Sequence, residues 1–148
     1  MQAALLVVLI GVWIVSAWYD PVFVNELRDL VEDGRDRSLL SALRKNVHLN
    51  RTTKKAVVNE ILELQDERTQ EAYATRVQEK KQLHKAQYDK LLSKAGADQA
   101  VKDYLEQAEK INNDMAIKDD DARTKMKELR AKLNRKQRKF AKQMEKFT

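Results

Sequence analysis

The hydrophobic pattern divides the chain into one unbroken apolar run and a long, highly charged, amphipathic remainder. Residues 1–19, MQAALLVVLIGVWIVSAWY, carry no charged side chain, and only Gln2 and Ser16 are polar. A helix of that length reaches roughly 28 Å, close to the ~30 Å hydrocarbon core of a bilayer. The run therefore predicts a membrane-spanning helix anchored by Leu5, Leu6, Val8, Leu9, Val12, Trp13, Trp18 and Tyr19. The three aromatic residues gather towards its end, at the headgroup level such rings prefer. A cleaved signal peptide is the main rival, because Val15-Ser16-Ala17 resembles a small-x-small cleavage site. Against it, no Lys or Arg precedes Arg28. A buried core helix would need a large surrounding domain, which the rest of the chain does not offer.

Past the span the pattern becomes helical and interrupted. Asp20 can cap the next helix and Pro21 suits its first turn, so the helix is expected to break there. Residues 20–50 read as membrane-proximal amphipathic helices. One patch is Leu27, Leu30 and Val31, and another is Leu39, Leu40, Leu43 and Val47; Gly34 lies between them and Ser38 is a candidate cap. Such helices could rest on headgroups or on a neighbouring subunit. Asn50-Arg51-Thr52 matches a glycosylation sequon, but Asn and Thr are also capping residues, and capping is the reading favoured here. Residues 51–95 predict one long helix, with a stripe running through Val57, Val58, Ile61, Leu64, Ala72, Tyr73, Val77, Tyr88, Leu91 and Ala95. His84 falls on that stripe and reads as a seam residue, and His48 is equally isolated. Gly96 is a candidate stop and Asp98 a candidate cap. That stretch is either a turn between antiparallel helices or a mild defect in one helix.

Residues 96–148 predict a basic amphipathic C-terminal helix. Its packing stripe is Ile111, Met115, Ala122, Met126, Leu129, Leu133, Phe140 and Met144. Spacings of eleven and of seven residues both occur, so the handedness of any supercoil is open. The stripe needs a partner helix. If the helices from Thr53 onward run on unbroken, they span on the order of 140 Å. If they fold back at Gly96, the basic end returns towards the membrane.

Charge sharpens this picture. The net charge of +6 is uneven: residues 123–148 hold eleven Lys/Arg and two Asp/Glu, a local +9, which leaves −3 elsewhere. The basic surface includes Arg130, Lys132, Arg135, Lys136, Arg138 and Lys139. It suits anionic lipid or an acidic protein surface, or it is the solvated flank of a coiled coil. Nucleic acid is disfavoured, since few aromatics interleave the cations. Asp119-Asp120-Asp121 lacks the spaced oxygens and turn glycine of a Ca²⁺ loop and reads as a solvated face. With 3 Gly, 1 Pro and no Cys, the composition is that of long helices, without thiolate chemistry. No phosphate loop or nucleophile–base pair stands out, so neither an enzyme nor a cofactor is expected. Basic residues follow the span rather than precede it. The C-terminal part is therefore expected on the cytoplasmic or matrix side of a bacterial or mitochondrial inner membrane.

The stretch Trp18-Tyr19-Asp20-Pro21-Val22 followed by Leu27-Arg28, after one N-terminal span, resembles the peripheral-stalk subunit b of ATP synthases. That resemblance implies a stator strut joining a membrane sector to a catalytic head. Gly34, Gly96 and the basic tail depart from the family pattern. The layout also resembles phage inner-membrane spanins, whose orientation would be opposite, and a virion or secretion component with a membrane-inserting N-terminus is a third class. The expectation is thus an all-α chain: one transmembrane helix, then long amphipathic helices as a coiled coil or helical hairpin. Its role would be that of a non-enzymatic strut or scaffold within a larger membrane complex.

Overall fold

Asp20 begins the folded part by organising the turn that follows it. Its carboxylate accepts hydrogen bonds from the backbone N–H of Val22 (2.9 Å) and Val24 (3.2 Å). The first helix therefore starts at Val24 rather than at Pro21, after Phe23 in a left-handed conformation (φ 56°). That conformation costs a non-glycine residue roughly 1–2 kcal/mol. Burial of the Phe23 side chain and its edge-on contact with Tyr19, ring centroids 5.6 Å apart, hold it there.

The computed structural model describes residues 19–145, with side chains through residue 142. The described residues are all-α. They form α1 (Val24–Arg28), α2 (Arg35–Lys45), α3 (Arg51–Glu63), α4 (Glu67–Ala95), α5 (Gln99–Asn113), α6 (Asp119–Ala131) and α7 (Arg135–Glu145). No helix among them is long and apolar enough to cross a membrane. The predicted span lies outside the described residues except for Tyr19, and so do the anchor residues Leu5 to Trp18 and the side chain of Met144.

Where the sequence predicts one helix over 51–95 and one basic helix beyond 96, the structure has five. The first break is at Leu64–Asp66. Asp66 accepts the backbone N–H of Thr69 (2.8 Å) and so starts α4 afresh, leaving Leu64 79% exposed. The second is the Gly96 turn, where φ of +57° suits glycine and Asp98 caps α5 through the Val101 N–H. The third, residues 114–118, pairs with the start of α3: Arg51 N–H donates to Ile117 and Thr52 N–H to Met115. The fourth is a capping box. The Asn134 side chain accepts from Gln137 N–H while the Gln137 side chain accepts from Asn134 N–H. The first, second and fourth of these breaks start the next helix on a side-chain cap, and the third, before α6, is held instead by its backbone pairing with α3. Ser38 is not a cap, because α2 already starts after Gly34. Asn50 does cap α3, accepting from Thr53 N–H at 2.8 Å.

Two clusters result. The first joins Leu27, Leu40, Leu43, Val58, Ile61 and Tyr73, so α1 and α2 pack on α3 and on the start of α4. The second joins Val101, Tyr104, Leu105 and Ala108 of α5 with Met126, Leu129, Leu133 and Ala141 of α6, α7 and their connection, against the end of α4. Met126, Leu129 and Leu133 are thus buried within the chain itself. Ala122 is buried as well, Ile111 and Phe140 are half-buried at the second cluster, and Met115 packs against the first. The partner helix that this stripe requires is the chain's own hairpin. An unbroken 140 Å strut is not formed.

Candidate functional site

Three features stand out, and each arises from residues that the fold brings together. The first is a joint between α3 and the α5–α6 loop. Arg51 is 4% exposed, and its guanidinium donates to the carbonyls of Ile111 (2.7 Å), Asn112 (3.2 Å) and Asp114 (3.0 Å), around the C-terminal end of α5. It also donates to Asp119 at 3.2 Å, and the ammonium of Lys54, 2% exposed, reaches the other oxygen of the same carboxylate at 2.6 Å. Orphan carbonyls at a helix end attract a cation, and Asp119 sits at the N-terminal end of α6, where the dipole favours an anion. His48 Nδ1 lies 3.0 Å from Asp120. Of the three aspartates read as a solvated face, Asp119 therefore ties the fold together, while Asp120, paired with an exposed His48, stays near the surface. Burial raises the Asp120 carboxyl, but the Asp121 backbone N–H and His48 outweigh it and hold the group below the usual carboxylate range.

The second feature is a half-open cavity of about 680 Å³ between α1, α4 and the last three helices. Tyr19, Phe23, Leu83, Tyr104 and Leu105 line it, and Ala141 of α7 lies on its wall with Tyr19. Tyr19 stacks on His84, ring centroids 3.9 Å apart at 17°. His84 Nε2 lies 2.8 and 2.9 Å from the two oxygens of Glu109 on α5. Glu109 in turn accepts from Asn113 at 3.0 Å. His84 is therefore the tie between the chain's point of entry and the hairpin. Glu109 is twenty-five positions away, and only the turn at Gly96 brings it alongside. At the rim, burial pushes the Glu26 carboxyl above its ordinary value, while Lys80 at 4.0 Å works the other way. Burial also raises the Tyr73 hydroxyl, with Glu26 and Asp20 adding to it, and lowers the neighbouring Lys55 ammonium.

A group whose folded value is raised binds its proton more tightly in the fold. Stability from Glu26 is thus complete below the unfolded value and is lost as pH rises through the folded one. The Glu26→Gln variant is expected to equal or exceed the parent in thermal stability at pH 7. The two melting curves are expected to converge below about pH 4, where the carboxyl is protonated in both states. A variant clearly weaker at pH 7 would show that the Lys80 pair outweighs burial.

The third feature is the outer surface of α6 and α7. Because Ala122, Met126, Leu129, Leu133 and Ala141 face inward, Arg123, Lys125, Lys127, Lys132, Arg135, Lys136, Arg138, Lys139 and Lys142 are left exposed. None of these nine makes an ion pair among the described residues, whereas Arg130 is half-buried and engaged. Residues 123–145 carry ten Lys/Arg against two Asp/Glu. Compared with protein-family models, curated proteins and solved structures, the chain matches none. Its reading therefore rests on these three features. Among the described residues no group of His, Asp and Glu is placed to hold a metal ion. The joint and the cavity tie elements together, and the cationic surface is the feature turned outward with its charges unpaired.

Proposed function

We propose that this protein is a non-enzymatic, single-pass membrane-anchored helical scaffold, a structural subunit of a larger membrane complex. Residues 1–18 supply the anchor, whereas Tyr19, expected from the sequence to be an anchor residue, packs on Phe23 and His84 in the folded part; the folded part faces the cytoplasm or matrix of a bacterial or mitochondrial inner membrane. The observation that carries the scaffold form of this reading, over the extended strut, is the reversal at Gly96. His84 of α4 pairs with Glu109 of α5 across the turn, and Ala141 of α7 lines the same cavity as Tyr19. A strut needs its far end remote from its anchor, whereas here the last described helix returns to the neighbourhood of the first described residue. The anchor itself is supported by the length and apolarity of residues 1–19 and by the basic residues that follow them.

The chain is expected to remain with membranes after alkaline carbonate washing and to be released when residues 1–18 are deleted. Recovery of the intact chain in the carbonate supernatant would remove the anchor. Nitroxides at Ala56 and Lys142, both exposed, test the scaffold form. They are expected a few tens of Å apart, against the order of 130 Å for one continuous helix.

A further inference from the structure

Among the described residues the cationic surface of α6–α7 has no ion-pair partner, and the reversal of the chain at Gly96 turns its helices back along α4. Nine exposed cations lie along two consecutive helices whose apolar sides are spent on the second cluster. This is not the solvated flank of a charge-balanced coiled coil, where acids and bases alternate and pair across the seam. Charge sign excludes a cationic partner. Position narrows the choice further, because Ala141 of α7 and Tyr19, the last residue of the apolar run, line the same cavity. Gln137 near the start of α7 also donates to Asp98 beside the Gly96 turn, so α7 is held to the hairpin at one end and reaches the cavity with Ala141. A surface tethered through the same chain to a membrane anchor meets lipid headgroups at a raised effective concentration.

Resting on the anchored reading above, we infer that the α6–α7 face docks on the anionic headgroups of the same membrane, so that the protein is held by two attachments. The apolar segment supplies the first. The second is electrostatic and depends on lipid composition: polybasic surfaces bind phosphatidylserine-type leaflets through the surface potential, which decays within a Debye length. The docked hairpin lies against the leaflet instead of standing away from it. Loss of anionic lipid, or high salt, releases α6–α7 while the anchor stays inserted.

The test uses the full chain in reconstituted vesicles. It has no cysteine, so Lys139→Cys accepts a single fluorophore and Ala56→Cys serves as an exposed control on α3. Collisional quenching by acrylamide, which is uncharged, reports exposure to water. In vesicles with about a third phosphatidylserine, quenching at position 139 is expected to fall several-fold relative to pure phosphatidylcholine. Salt at about 1 M, where screening reaches about 3 Å, is expected to restore it. Changing Arg135, Lys136 and Arg138 together to Gln, all exposed positions, is expected to do the same, and the label at 56 is expected to be quenched equally in both vesicles.

If the chain floats with both vesicle types but position 139 is quenched alike in them, the docking is wrong and the anchor stands. If the chain does not float at all, the anchored reading fails first. Protection that appears in phosphatidylcholine and ignores salt would also overturn the inference, since it would mean apolar contact. So would protection brought about only by adding polyglutamate or an oligonucleotide, which would assign the face to an acidic protein or to nucleic acid.

Discussion

Replacing Asp119 by alanine is expected to lower the stability of the fold by up to about 3–5 kcal/mol, the cost of removing one partner from a buried ion pair, since its cationic partners are buried although Asp119 itself is 30% exposed. The physical reason is the imbalance left behind. Arg51 and Lys54 have side chains only 5% and 3% exposed, and Asp119 is the carboxylate both of them touch. Arg51 would keep the carbonyls of Ile111, Asn112 and Asp114, but Lys54 would lose the hydrogen-bond partner that its ammonium has among the described residues. Lys54→Met is therefore expected to cost less than Asp119→Ala. In the double variant the two losses are expected to fall short of their sum by about 0.5–3 kcal/mol, the range for residues in one network. Chemical denaturation of the four proteins measures this. Additive losses would show that Lys54 and Asp119 are not energetically coupled.

The second large effect is expected at Leu27. Its side chain is fully buried at the centre of the first cluster. Truncation to alanine is expected to cost about 2–5 kcal/mol, the range for large-to-small changes where the site collapses incompletely. The five-residue α1 has no stability of its own, since short helices in water depend on tertiary packing. It is held by Leu27 and Val24 inside the cluster and by the Asp20 turn at its start. Hydrogen exchange is the sharper readout here. Amides of α2 and of Val58 and Ile61 in α3 are expected to lose protection by the full amount. If protection there is unchanged while stability is retained, Leu27 is not the centre of that cluster.

The all-α character was legible in the pattern, and so were several of the helix ends. Asn50 and Asp98 each place a side-chain oxygen three residues before an N–H it can accept, and Gly96 is a residue for which a positive φ carries no Cβ penalty. These are local signals, decided within one turn of chain. Two further local signals, Asp66 before Thr69 and Asn134 before Gln137, are the same kind of motif. They mark the breaks that a continuous apolar stripe conceals. A stripe reports which face is buried, not whether the helix beneath it is interrupted.

By itself, then, the sequence determined the composition of the elements: an uncharged run of bilayer length, helices with one apolar side each, and a cationic excess confined to the end. Tertiary structure alone decided what those sides face. The stripe from Ile111 to Phe140 could have met another chain, but Met126, Leu129, Leu133 and Phe140 meet α4 and α5 because the Gly96 turn reverses the helix, and Met115 meets the first cluster. His84 gained Glu109 and Tyr19, and Arg51 and Lys54 gained Asp119, across separations of 25 and of more than 60 residues. Pairings at that distance leave no periodicity behind. Charged side chains that neutralise one another in the fold look, along the chain, like any other solvated surface, and only the three-dimensional arrangement separates them from the nine cations that have no ion-pair partner among the described residues.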